Sequence, residues 1–407
     1  MTSSTISTAP AKDAGRGRRL SHPVAFVAIA VIFLVFTAAS SAPSSLYVVY
    51  QELWGFSAVT LTVVFAVYVV GLIGSLLVLG ALSDHVGRRP VMAAAVVLEI
   101  AALVVFLSAG NVTMLLIARF VQGVATGMAF TTLGAAQVDL NPPHAPGRAG
   151  LLNSLVPPIG LSVGSLGAGA LVQFAPGPTR LVWAILLAAM VVAAAIVLLM
   201  PETSARRPGG VASLMPKLGV PRRLRTEFFA IIPIILASWA LAGLYLSLGP
   251  SIAVGVFGLH NHLIGGLVVA LLCGTGAVSA FSLRTQPTPR TLMIAGILLT
   301  AGTAVTLVGI ETGSVVVAAA GTVLAGIGFG ASSLASFGTL ALLAAPEERG
   351  ELFAVALTIS YVAFSIPAVV AGIAANTFDL RTTGLVYGLV VVVLGGVAVI
   401  LQRVRRA

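Results

Sequence analysis

Gly80-Ala81-Leu82-Ser83-Asp84-His85-Val86-Gly87-Arg88-Arg89-Pro90 is a short polar passage between two long apolar runs, and its position decides the fold. The run at 57–82 ends in it, the run at 90–108 leaves it, and Glu99 is the one acid or base that the two runs carry. A bilayer core takes about 20 residues of helix, and helix satisfies its backbone polar groups within the segment. Two spans joined so tightly run antiparallel, which sets Asp84, Arg88 and Arg89 together at one membrane surface.

The same rule applied outward gives spans near 23–44, 57–82, 90–108, 111–137, 150–173 and 179–200, then 227–247, 262–284, 290–310, 314–344, 350–373 and 380–402. The stretch 248–261 reads as a loop with a short helix. Of 407 residues, 58% are hydrophobic and 8% charged, against about 25% charged in soluble domains. Nineteen Lys and Arg fall in the connections on the side of both termini; only Arg180 and Arg381 fall opposite, with Arg119 inside a span. That asymmetry predicts an even number of spans and cytoplasmic termini; the expected location is the plasma (inner) membrane.

Residues 1–22 read as a cytoplasmic basic tail and 403–407 as a second. Small residues at Ala39–Ala42 imitate a signal-peptidase site, yet losing the first span would break the charge alternation, so the span is expected to stay. The Pro-, Gly- and Arg-rich stretch 201–226 divides the chain into two six-helix bundles, 23–200 and 227–402. The halves echo each other: Gln122-Gly123-Val124-Ala125-Thr126-Gly127 aligns its glycines with Ala325-Gly326-Ile327-Gly328-Phe329-Gly330, and Arg148-Ala149-Gly150-Leu151-Leu152 resembles Arg349-Gly350-Glu351-Leu352-Phe353. Two related halves about a central site is a carrier architecture.

The net charge of +10 does not indicate nucleic acid, because the basic residues sit at span ends and not on one folded face. Cys273 is alone, so an intrachain disulfide is excluded. The five histidines lack metal-ligand spacing, and no phosphate-cradling loop with a lysine occurs, so neither a metal nor ATP nor another cofactor is expected. No His, Asp and Glu constellation shares one depth beyond Glu99 and Arg119, which argues against an enzyme.

In the opening passage, Gly80 allows close helix contact, Gly87 a sharp turn, and Asp84 can cap or face a helix N-terminus. Asp139, at the same surface, is the nearest acid for Arg88. This passage resembles the signature loop of the major facilitator superfamily, although Ala81 and His85 stand where that family often has basic residues and Leu76 where it has a glycine. The resemblance implies an all-α membrane protein with twelve transmembrane helices in two pseudo-symmetric bundles. It also implies that Gly80, Asp84, Gly87, Arg88, Arg89 and Asp139 form a latch that holds the halves in the outward-facing state. Positive-inside topology alone would also account for Arg88 and Arg89.

Leu115-Leu116-Ile117-Ala118-Arg119-Phe120-Val121-Gln122-Gly123 is similar to the family's signature on the fourth span. Its spacing puts Arg119, Gln122, Gly123 and Thr126 on one helix face. An arginine two turns inside the hydrocarbon costs at least a few kcal/mol unless paired or hydrated, which marks it as functional. Glu99 lies at comparable depth on the adjacent antiparallel span and is its expected partner. Burial disfavours the charged form of Glu99 and Arg119 favours it, so the pair can couple to protons; a static ion pair, or a glutamate snorkelling to the interface, is the alternative. On the fifth span, Gly160, Gly164 and Gly169 resemble the glycine-rich signature of the antiporter branch, with Ser165 in place of its proline and Pro157-Pro158 available to kink the helix. Close packing alone accounts for the same glycines.

By the same resemblance, polar and aromatic side chains on the cavity-lining spans are candidate substrate contacts: Ser40, Ser41, Tyr47, Gln122, Thr126, Asn153, Trp239, Tyr245, Ser333 and Tyr361. They describe an apolar, aromatic cavity suited to lipophilic solutes. The expectation is a monomeric, proton-driven antiporter that exports small lipophilic or drug-like molecules, with the bilayer, the solute and protons as its partners. An uptake permease for a sugar or other metabolite, and a receptor or scaffold without transport, share the fold.

Overall fold

The computed structural model describes residues 19–145, 147–204, 214–215, 219–345 and 348–404, of which 349–350 by backbone alone. Most of the basic tail 1–22, the middle of the linker 201–226 and the end of the tail 403–407 lie outside the described residues. Among the described residues, twelve helices are long and apolar enough to cross a membrane. In the first half these are α1 (His22–Trp54), α2 (Ala58–Leu79), α4 (Arg88–Ser108), α5 (Val112–Asp139), α6 (Arg148–Phe174) and α7 (Pro178–Leu199). In the second they are α8 (Arg225–Ser247), α10 (His262–Leu283), α11 (Thr288–Thr312), α12 (Val315–Leu343), α13 (Arg349–Thr377) and α14 (Leu380–Val404). Two short helices, α3 (Leu82–Val86) and α9 (Gly249–Gly255), fill connections.

The first span needs correction. It does not end near residue 44 but runs ten residues further, through Pro43. Proline has no N–H to give the carbonyl four residues back, which would normally break a helix. Here that carbonyl, of Ala39, accepts a hydrogen bond from Gln122 Nε2 at 3.1 Å. A neighbouring side chain thus satisfies the group that proline frees, and the helix continues inside the membrane. Helix ends elsewhere are set locally: Gly55 takes φ 65° after α1, Ser57 caps α2 and Asn111 caps α5.

Both described chain ends lie on one face of the molecule. Leu20 N–H donates to Leu199 O at the end of α7, 2.9 Å, and Gln402 Nε2 on α14 donates to Ala230 O near the start of α8, 3.4 Å. This face also carries α3 and the basic connections; we call it the basic face and its opposite the far face.

The two bundles meet where α6 packs on α10 and α2 on α13. At the far face this contact is tight. A Cβ at Gly266 would overlap the Ser165 carbonyl, and one at Gly372 would overlap the Thr62 side chain. Gln173 Oε1 accepts the His262 N–H at 2.9 Å, and the Phe65 and Phe364 rings lie 4.9 Å apart. Toward the basic face, Phe130, Asn153, Phe337 and Phe353 stay partly exposed. The cleft between the bundles is shut at the far face and opens toward the basic face.

Candidate functional site

Helix α5 carries the centre of the site. Gly123 has no side chain, and a Cβ there would overlap the Tyr68 carbonyl, so α2 and α5 approach backbone to backbone. That approach sets the Tyr68 ring under Arg119, with the guanidinium carbon 4.3 Å from the ring centre, a cation–π contact that sequence reading missed. Arg119 is 1% exposed; Glu99, Gln122 and Thr126 are wholly buried. Arg119 Nη1 donates to Gln122 Oε1 at 2.6 Å and to Ser40 O at 3.1 Å.

Glu99 and Arg119 share a region, as their depths predict, but they do not pair directly. Gln122 stands between them: its Oε1 receives Arg119, and its Nε2 donates to Glu99 Oε1 at 3.0 Å as well as to Ala39 O. The correction has a simple cause. Gln122 is one turn along α5 on the same face as Arg119, and its amide offers both an acceptor and a donor. Thr126 Oγ1 donates to Gln122 O at 2.8 Å and steadies that turn. Glu99 Oε2 has no described partner, and the Tyr47 hydroxyl lies against Arg119, so the carboxyl end of the network has capacity for a proton.

The other candidates fall into three places. Ser40 and Ser41 turn their hydroxyls back onto α1, to Thr37 O at 2.8 Å and Ala38 O at 3.1 Å. Trp239 meets Tyr361 edge-on at 4.9 Å and Phe364 at 6.0 Å, beside the α2–α13 contact. Asn153, half-buried toward the basic face, donates to Gly134 O at 3.2 Å, and Ser333 is half-buried on α12. Tyr245 does not join them. Its hydroxyl meets Thr322 Oγ1 at 2.7 Å within the second bundle, because six residues of α8 turn it well away from the direction of Trp239. Gly160 and Gly164 admit the side chains and backbone of α1, whereas Gly169 faces His262 and Gly266 across the bundle interface.

A second cluster lies on the basic face. Arg88 reaches Asp84 Oδ1 at 2.5 Å, Asp139 Oδ2 at 3.1 Å and Ser83 Oγ at 2.6 Å. Gly80 closes α2, and Gly87 takes φ 111°, a conformation open to glycine, to start α4. Glu202 then accepts the Arg88 and Arg89 backbone N–H groups at 2.7 and 3.2 Å, capping α4 with a carboxylate. Arg89 in turn donates to the last carbonyls of α7, Val197 O at 3.2 Å and Leu198 O. Glu202 escaped sequence reading, though it is the sole acid in 201–226 and follows directly on the sixth span. These contacts join the first bundle to itself and to the start of the linker. In the second, Arg223 of the linker pairs with Glu348 and donates to Leu343 O at 3.3 Å. Among the described residues, no three His, Cys, Asp or Glu side chains are grouped to hold a metal.

The family model of the Major Facilitator Superfamily matches residues 26–366. The multidrug resistance protein MdtL of Escherichia coli strain K12 is 26% identical over 294 residues, which is 71% of this chain and 74% of that one; MdtL of E. coli O9:H4 strain HS is equally similar. Among solved structures, a bacterial homologue of the human lysosomal transporter Spinster, crystallised inward-facing and unoccupied, superposes with a TM-score of 0.73 at 15% identity, covering 94% of this chain and 97% of that one. A mutant of the nucleoside transporter NupG gives 0.70 at 13% identity, covering 94% and 100%. These two likenesses concern the fold.

Proposed function

Because this chain belongs to the Major Facilitator Superfamily, and is therefore a multi-pass membrane transporter and not an enzyme, we propose that it exports small lipophilic or drug-like molecules in exchange for protons. The observation that carries this reading is the buried chain Glu99–Gln122–Arg119 inside the first bundle, with Glu99 Oε2 unengaged. A carboxyl in that position can hold a proton, and Gln122 relays its state to Arg119 and to the Ala39 carbonyl that Pro43 leaves free in α1. The similarity to a multidrug resistance protein supports export of drug-like solutes. So does the cleft lining, in which the aromatic Trp239 and Tyr361 outweigh a few amides and hydroxyls.

In this reading the basic face is cytoplasmic, in the plasma (inner) membrane, and the protein works as a monomer. The bundles 23–200 and 227–402 rock about the cleft while 201–226 tethers them, and the arrangement described here is the inward-facing one. Solute enters past Asn153 and Ser333, and it contacts Trp239, Tyr361 and the Gln122–Thr126 face of α5, near Ser40, Ser41 and Tyr47. Closing the basic face brings the cluster around Arg88 against the other bundle. The Asp84 side chain, 46% exposed, is then available to a helix end there.

Proteoliposomes with an imposed pH gradient and a fluorescent lipophilic dye test the proposal. The wild-type protein is expected to accumulate dye against its gradient only when protons flow the opposite way, and Glu99→Gln to bind dye but lose the dependence on the pH gradient. Dye movement indifferent to the gradient in the wild type, or normal coupling in Glu99→Gln, refutes it.

A further inference from the structure

The second bundle holds an apolar cavity of about 150 Å³ that the transport reading does not use. It lies between α8, α9, α10, α11, α12 and α14 on the far-face side, lined by Leu244, Ile252, Leu267, Leu307 and Ile310 among others, with no charged side chain in its wall. Its polar groups are few and mostly engaged. The Tyr245 hydroxyl meets Thr322 Oγ1, Thr322 Oγ1 donates to Ala318 O, and Thr306 Oγ1 to Gly302 O. Thr303 differs: it lines the cavity, is 2% exposed, and its hydroxyl has no partner among the described residues.

The first bundle fills its far-face interior with protein. Trp183, within six residues of the start of α7, stacks on Phe106 at 4.2 Å and donates to the Tyr50 hydroxyl at 2.9 Å. At the start of α14, the matching helix, stands Gly384, whose built Cβ would lie 3.5 Å from Ile252 and 3.8 Å from Ile310, both cavity-lining. One bundle supplies its own aromatic ring with a polar handle; the other leaves the space and an unpaired hydroxyl.

We infer that this cavity binds a neutral, single-ring aromatic alcohol, a molecule of the phenol class, at a site separate from the cleft. A space of about 150 Å³ lined largely by Leu and Ile, open at the rim where Leu267 and Val315 are exposed, is sized for one benzene ring. The ring lies among the Leu and Ile side chains, and its hydroxyl pairs with Thr303 Oγ1 once that shielded group turns toward the void, offsetting the cost of a buried orphan group. An ionised analogue is refused because nothing in the wall compensates a charge. The site stands or falls independently of proton-coupled export.

Purified full-length protein in detergent provides the test, with phenol, benzene and benzoate as probes of thermal unfolding and equilibrium binding. Phenol is expected to raise the unfolding midpoint saturably, benzene to bind about 3- to 10-fold more weakly, the worth of one hydrogen bond, and benzoate to have no effect. Thr303→Val should weaken phenol to the benzene level and leave benzene unchanged. Gly384→Trp should abolish phenol binding. Should that variant fail to fold, anomalous scattering from crystals soaked in 4-bromophenol locates the ligand directly, and a bromine peak between Thr303 and Gly384 is the expected result. Absence of phenol stabilisation, indifference of phenol binding to both substitutions, or a bromine peak confined to the inter-bundle cleft overturns the inference.

Discussion

Aligning Gly123 with Gly326 makes the two bundles directly comparable, and the residues around those glycines differ in kind. Thr322 then stands where Arg119 does and Ala325 where Gln122 does. The first bundle buries an acid, a base and an amide in mid-membrane; the second carries no Asp, Glu, Lys or Arg between Phe228 and Leu283 or between Val315 and Leu343. The first packs its far-face interior with Trp183, Phe106, Tyr50 and Trp54, and the second leaves a cavity there. One helical frame thus tolerates two interiors. Charge and dense packing go to one bundle, while the other offers apolar walls and hydroxyls. A carrier whose chemistry sits in one bundle needs the other chiefly as a moving wall, and that division can be broken from either side.

The largest effect is expected at Gln122. Gln122→Leu removes side-chain hydrogen bonds to Arg119, Glu99 and Ala39 together, stranding a buried charge and the carbonyl that Pro43 freed. Breaking such a buried network costs about 3–5 kcal/mol, which denaturant or thermal unfolding in detergent would register as a large downward shift. Thr322→Val, at Arg119's place in the second bundle, loses a hydroxyl bonded to Tyr245 and Ala318 O and should cost about 1–3 kcal/mol. Equal losses at the two sites would erase the proposed division of labour.

Trp183→Ala comes next. It gives the first bundle the void that the second already has, at a cost of about 3–5 kcal/mol for a buried tryptophan. Gly384→Ala should be close to neutral, since the added Cβ meets its neighbours at ordinary contact distance. If Trp183→Ala were as mild as Gly384→Ala, the packing contrast would carry no energetic weight.

How much of this could be read from the sequence follows from the range of the forces involved. The bilayer imposes its length on every span, so hydropathy located the helices to within a few residues. It failed at Pro43, where a side chain from another span, Gln122 on α5, takes over a backbone bond. The cost of burying a charge marks Arg119 as central from its place within an apolar run alone, and helix depth brings Glu99 near it. Gln122's position between them was not legible, because depth along a helix does not decide which of two side chains on a turn reaches across. Tyr245 was grouped with the cleft by its helix alone, and the face it occupies sends it into the second bundle. Glu202 and Arg223, which tie the linker to the first and second bundles, needed the loop geometry.

The basic face separates the bundles more gently. Arg88 is shared by two acids, Asp84 and Asp139, within the first bundle, whereas Arg223, half-exposed, meets the single acid Glu348 and the Leu343 carbonyl in the second. Arg223→Ala should change stability by less than about 1 kcal/mol, as exposed pairs do. Asp139→Asn should also be mild in unfolding yet slow dye transport in proteoliposomes several-fold, because the Arg88 cluster is proposed to meet the other bundle during transport. A transport rate unaltered by Asp139→Asn would confine that cluster to a structural role.

The smallest contrast lies at the far face, where the last helix of each bundle begins. Helix α7 starts from Gly177-Pro178 without a side-chain cap. Helix α14 starts under Asp379, whose Oδ1 accepts the Thr382 N–H at 2.7 Å and whose Oδ2 accepts the Thr382 hydroxyl at 2.9 Å. The backbone bond from Thr382, then its hydroxyl, hold the Asp379 carboxyl below its ordinary range. A carboxyl depressed in the folded state stabilises above its unfolded value, about 3.9, and loses that contribution as pH falls through the lower folded value. Asparagine caps nearly as well and does not titrate there. The unfolding midpoint of the wild type should therefore exceed that of Asp379→Asn by a small, constant amount from neutral pH down to about 5 and converge on it below about 4. A gap that persists or widens in acid would remove the cap from the account of α14, and with it the last difference between the two far-face turns.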